Sequence, residues 1–277
     1  MLDPVLILKA AVIGVVEGIT EFLPISSTAH IVIAQRLLAF KDEGEVFAVV
    51  IQLGAILAVC AYFWRRIWHL ASSLHRDPTS QRFVATLAVA CVPAGVLGLL
   101  LNTWLETHVF GAYAVAIIAI TSAVGGVGIL LIERHKPNPI YLESNTIPWR
   151  TALGIGFLQV LAMVPGVSRS GASILGGMCL GVGRQAATEF SFFLAIPVML
   201  GASSLKLYKH RSEITSDHIG IIIVGSLVSF VVALAVVHWL LRYVATHDFR
   251  LFGWYRIILG VVLAALLAAG IIPLRVN

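Results

Sequence analysis

The chain has 277 residues, of which 59% are hydrophobic and only 12% charged, with a mean hydropathy of +0.95. That balance excludes a soluble domain and requires several membrane spans. The formal charge of +5 is spread over short loops between apolar runs, a pattern that suits anionic lipid headgroups and argues against nucleic acid as a partner. Cys60, Cys91 and Cys179 lie inside apolar runs without metal-ligand spacing and read as small core residues.

In chain order, residues 4–23 nearly reach span length, but Glu17 and Glu21 fall in the last turns and Pro24 stops the helix. The carboxylates, with Asp3, also argue against a cleavable signal peptide. The returning run, 26–39, is shorter than the roughly 20 residues a crossing needs. Residues 4–39 are therefore expected to form a re-entrant hairpin with its irregular turn buried in protein. Spans are expected at 45–64, 82–101 and 111–132, followed by a polar linker, 133–148, rich in proline. The second half repeats the plan, with a hairpin at 149–182 broken at Pro165-Gly166 and spans at 185–208, 218–241 and 254–273. The stretch from Glu45 to Ala55 also echoes that from Glu189 to Ala202.

One hairpin and three spans per half send the second half into the membrane from the opposite face. The expected fold is an all-α polytopic membrane protein: one membrane domain of six transmembrane helices plus two re-entrant helical hairpins, an inverted-topology repeat of 1–132 and 149–277. Basic residues, eleven against seven, place the 65–82, 133–150 and 242–254 loops in the cytoplasm, with Arg184 and Arg256 counted on that side. Both termini and the mouth of the first hairpin then face outward. The six tryptophans, Trp64, Trp68, Trp104, Trp149, Trp239 and Trp254, fall near span ends, as interfacial anchors do.

Most of the unexplained polar groups gather at the two helix breaks. Glu17 and Glu21, four apart, share one helical face and can aim at one point. Two carboxylates at membrane depth need a cation, a proton or a hydrogen-bonded cage. After Pro24, Ser26 or Ser27 stands at an N-cap, and Ser27 shares a face with His30. At the second break, Ser168, Arg169 and Ser170 open a helix behind Pro165-Gly166, bringing amides, hydroxyls and a guanidinium together as a phosphate or diphosphate site. A permanent Arg169–glutamate pair is the plainer alternative. Gln159 takes the place of Glu17 in the repeat. Gln52 and Glu189 occupy related span positions, where each lines the chamber or bonds a neighbouring helix.

The runs Glu17-Gly18-Ile19-Thr20-Glu21-Phe22-Leu23-Pro24-Ile25-Ser26-Ser27-Thr28-Ala29-His30 and Pro165-Gly166-Val167-Ser168-Arg169-Ser170-Gly171-Ala172-Ser173 resemble the bacterial undecaprenyl-diphosphatase family of the bacitracin-resistance type, over essentially the whole chain. The resemblance implies an enzyme of the bacterial inner membrane that converts undecaprenyl diphosphate to the monophosphate, recycling the lipid carrier of peptidoglycan synthesis. It implies Glu17, Glu21, Ser27, His30 and Arg169 as catalytic, with Ser26, Thr28, Ser168 and Ser170 lining the site. Ser173 stands where threonine is common in the family and keeps a hydroxyl. With Gln159, it completes the expected substrate-binding set.

Joined with the residue chemistry, this gives Ser27 as nucleophile and His30 as its base or the acid for the leaving group, while direct attack by water stays open. A divalent cation, Mg or Ca by ligand hardness, is expected between Glu17, Glu21 and the diphosphate. The partners are a polyprenyl diphosphate and membrane lipids, and a homo-oligomer is compatible with the sequence. The alternative is a transporter or flippase of lipid phosphate or another anion, because inverted repeats with broken helices also build carriers.

Overall fold

A computed structural model describes residues 3–40, 42, 46–109, 113–135, 138–211 and 216–271. Expected features at Lys41, Glu45, 111–112, Lys136, Pro137, 272–273 and Arg275 lie outside them. Eleven α-helices and two short 3-10 turns make up the described chain, and no strand occurs among the described residues.

Helix α1, Pro4–Thr20, is capped by Asp3, whose side chain accepts from the Val5 amide, and carries proline at its start where no donor is lost. The chain then turns through Pro24 and resumes as α2, Ser27–Leu37. Helix α3 spans Val46–Tyr62. A sharp bend of 72° leads into α4, Trp64–Ser73, where a loop was expected. None of α4 is buried, and Trp64 and Trp68 are exposed on it. Two tryptophans four apart beside two arginines are the pattern of a helix lying along a membrane surface.

Helices α5, Pro78–His108, and α6, Ala114–His135, follow. The linker docks on the second hairpin: Tyr141 pairs with Val182, and the Ile140 and Tyr141 amides donate to the Gly181 carbonyl. That hairpin is α7, Trp149–Gln159, a 3-10 turn over Val160–Met163, the Pro165-Gly166 break and α8, Arg169–Cys179. Helices α9, Arg184–Lys209, α10, Ser216–Thr246, and α11, Arg250–Ala268, complete the chain. Five helices, α5, α6, α9, α10 and α11, are long and apolar enough to cross a membrane, and the bent pair α3 and α4 counts as a sixth when taken together. The protein is a multi-pass membrane protein.

Packing interlocks the halves. Helix α1 runs along α10, α7 along α5, α3 against α9 and α6 against α11. These contacts are backbone to backbone: a Cβ on Gly14 would come within 2.5 Å of the Gly225 carbonyl oxygen, and one on Gly156 within 2.4 Å of that of Ala90. Phe22, at the first break, packs edge-on against Phe192 of α9 within the main core.

Gly166 adopts φ +84°, a conformation costly for any residue with a side chain. A Cβ there would also lie 2.1 Å from the Thr121 hydroxyl, which donates to the Pro165 carbonyl at 2.8 Å. Gly166→Ala is expected to cost about 2 kcal/mol and to lower the thermal midpoint of the detergent-solubilised protein by roughly 5 °C. An unchanged midpoint would show that the break tolerates a side chain.

Candidate active site

The two helix breaks meet. The Ser170 hydroxyl donates to the Leu23 carbonyl at 2.7 Å, and Ser168 lies within 3.3 Å of the same oxygen. Ser168 also caps α8 by accepting from the Gly171 amide. Both serines thus join the two breaks, and Ser168 also caps α8.

At the junction, Arg169, the first residue of α8, donates to Glu21 Oε1 at 3.1 Å, and Ser27 Oγ donates to Glu21 Oε2 at 2.5 Å. One carboxylate therefore bridges the hydroxyl of one hairpin and the guanidinium of the other. Arg169 also donates to the Ser191 carbonyl at 3.1 Å and sits over the Phe22 ring, while its Nε has no partner. Such contacts fix the guanidinium plane.

Ser26 carries φ 72° and ψ 100°, a sparsely populated backbone for a residue other than glycine, costing about 1–3 kcal/mol. It occupies the α2 N-cap, but its side chain makes no capping bond. The strained turn instead aims Ser27 at Glu21.

These groups line a cavity of about 1160 Å³ together with Thr28, Gln159 and Ser168. Its remaining walls are largely apolar surface of α5 and α9, and Lys206, Lys209 and His210 line the end of α9. Gln52 joins this lining and accepts from Ser203 at 3.4 Å. Glu189 does not: it pairs with Arg66 and accepts from Ser144 in a separate cavity of about 620 Å³ beside α4.

Three expectations need revision. His30 was paired with Ser27, but both ring nitrogens are engaged elsewhere, Nδ1 with the Ser26 carbonyl at 2.7 Å and Nε2 with the Tyr255 hydroxyl at 2.6 Å. The helical turn between Ser27 and His30 puts them on one face, yet the tight hairpin turns the hydroxyl back toward Glu21. Ser170 and Ser173 were placed against substrate, whereas Ser173 donates to the Arg169 carbonyl, bonds Ser191 Oγ, and, like Ser170, is fully enclosed by protein. Arg256 was counted among cytoplasmic basic residues. It is 3% exposed and donates to the carbonyls of Pro24, Thr121, Ser122 and Gly166, touching both breaks. Arg184, counted with it, forms a two-bond ion pair with the buried Glu133.

Glu17 is completely buried and both its carboxylate oxygens lack a partner, as do both polar atoms of Gln159. Unpartnered oxygens next to a second carboxylate fit a bound cation or proton. Among the described residues no three His, Cys, Asp or Glu side chains cluster as a metal site. Two carboxylates completed by phosphate oxygens and water is nevertheless how magnesium is commonly held.

Comparison with known proteins decides the family. The family described as "Bacitracin resistance protein BacA" matches residues 10–262.

The chain belongs to the BacA family.

Curated relatives agree over nearly full length. A Cupriavidus necator protein is 46% identical, covering 96% of this chain and 97% of its own, and is named undecaprenyl-diphosphatase. A Methylobacillus flagellatus protein of the same name is 49% identical, over 95% and 99% of the two chains. One from Rhodospirillum rubrum, named undecaprenyl-diphosphatase 2, is 48% identical over 98% of each. In this BacA protein, the Glu21–Ser27–Arg169 constellation is built from both family-like motifs. Arg256, Tyr255 and Thr121 were not read as site residues, because each bonds carbonyls or side chains of distant segments.

Proposed function

We propose that the chain is an undecaprenyl-diphosphate phosphatase, cleaving the terminal phosphate from the lipid diphosphate in the bacterial inner membrane. This returns the monophosphate carrier to peptidoglycan synthesis and fits the bacitracin-resistance name of the family. The observation that carries the reading is the Ser27–Glu21–Arg169 constellation lining a cavity with largely apolar walls. A diphosphate needs the polar end, and a polyprenyl tail needs the apolar walls.

Ser27 Oγ attacks the terminal phosphorus as its proton passes to Glu21 Oε2, and the bond to the bridging oxygen breaks, releasing the lipid monophosphate. Water then cleaves the phosphoserine and yields inorganic phosphate. Arg169 and the amides opening α8 stabilise charge on the phosphoryl oxygens. A divalent cation, Mg or Ca, would be held by Glu17 and Glu21 and would offset the repulsion between carboxylates and diphosphate. Thr28 and Ser168 line the phosphate end with Ser26, and Gln159 offers its unpartnered amide to the same space.

The two hairpins are read as entering from opposite faces of an inverted repeat. The reciprocal packing of α1 on α10 and α7 on α5 supports this, because each hairpin rests on the middle span of the other half. The cavity reaches the C-terminal end of α9, away from the linker that docks beside its start, which supports access from the outer face.

The test is phosphate release from undecaprenyl diphosphate by purified protein in detergent. Release that EDTA stops and Mg or Ca restores is expected. Release unaffected by EDTA would remove the cation from the mechanism, and none under any metal would overturn the enzyme reading in favour of transport.

A further inference from the structure

His30 is held on both sides. Ser26 presents a carbonyl, which can only accept, so the proton of the imidazole lies on Nδ1. In the neutral ring Nε2 is then an acceptor, and the Tyr255 hydroxyl at 2.6 Å is its donor. The two rings also stack, 5.6 Å between centroids and 11° between planes. The imidazole has no lone pair left for a reacting proton. Its single N–H grips the one non-glycine residue at the breaks held at positive φ, immediately before the Ser27 that bonds Glu21.

We infer that Tyr255 and His30 form a positioning relay: Tyr255 fixes the tautomer of His30, and His30 holds the Ser26 carbonyl so that the strained turn presents Ser27 to Glu21. Tyr255 thereby joins the machinery from α11, next to Arg256, which ties the backbone of both breaks. The relay rests on the reading of Ser27 as nucleophile, and it assigns the base role to Glu21 alone.

Isosteric substitution separates this role from proton transfer. An asparagine amide nitrogen overlays Nδ1 of histidine, and a glutamine amide nitrogen reaches toward Nε2. His30→Asn keeps the donor to Ser26 and is expected to hold kcat within roughly tenfold of wild type. His30→Gln and His30→Ala are expected to lose about 10²-fold, the scale set by misplacing a reacting group. Tyr255→Phe is expected to lower kcat about three- to tenfold with KM unchanged. In ¹⁵N-histidine-labelled protein, His30, assigned by its absence in His30→Asn, is expected to show the Nδ1–H tautomer, and Tyr255→Phe to shift its Nε2 resonance. His30→Asn as inactive as His30→Ala, an Nε2–H tautomer, or Tyr255→Phe without effect on kcat would each overturn the relay. A wild-type protein that releases no phosphate would instead fail the enzyme reading, while the tautomer would still report on the relay.

Discussion

Ser27→Ala is expected to cut phosphate release at least roughly 10³-fold while leaving the protein folded. The substitution removes one oxygen and its short bond to Glu21, but Glu21 keeps Arg169, so no buried charge is left alone. The loss should fall on kcat, because the hydroxyl acts on the reacting phosphorus and adds little to substrate binding. Acid quenching of the wild-type reaction should yield a Ser27 peptide carrying one phosphate. Residual activity within tenfold of wild type, with no phosphopeptide, would mean that water attacks directly and Ser27 only orients it.

Arg169→Lys is expected to lose about 10²–10³-fold in kcat/KM, although the charge is retained. The guanidinium spans Glu21 and the Ser191 carbonyl with two nitrogens, and a single ammonium cannot reproduce that plane. Lysine is the informative choice. Arg169→Ala would strand a buried carboxylate, at a cost of about 3–5 kcal/mol, and would confuse stability with catalysis. Near wild-type kcat/KM in Arg169→Lys would mean that Arg169 supplies only positive charge, and an unchanged thermal midpoint would separate a catalytic loss from unfolding.

The helix breaks were legible because their chemistry is local. Pro24 and Pro165-Gly166 interrupt apolar runs, and carboxylates, hydroxyls and an arginine stand out in such a setting. The partnership of Glu21 with Ser27 was less accessible, because sharing a helical face made Ser27 and His30 look paired while the turn at Ser26 decided otherwise. Helix α4 was passed over as a loop, although Trp64 and Trp68 with Arg65 and Arg66 carry the signal of a surface helix. Arg256 was hidden for a different reason. Next to Trp254 it passes for a headgroup contact, and only the fold reveals that it satisfies carbonyls freed by the two breaks. Its one sequence hint is its position within α11, where apolar residues, Ile257 and Ile258, come next.

The packing of α1 against α10 imposes an order on biosynthesis. The first helix leaves the ribosome with Glu17 and Glu21 near its end, yet the surface it rests on belongs to residues 216–246, and the cation that meets Glu21 is Arg169. At about 5–20 residues per second, the N-terminal hairpin waits on the order of ten seconds or longer for its neighbours. A nascent chain halted before α10 would hold two acidic groups in the bilayer with no docking helix. Such truncated products should be substrates for membrane quality control, and hydrolytic capacity should appear only once the final third of the polypeptide has inserted.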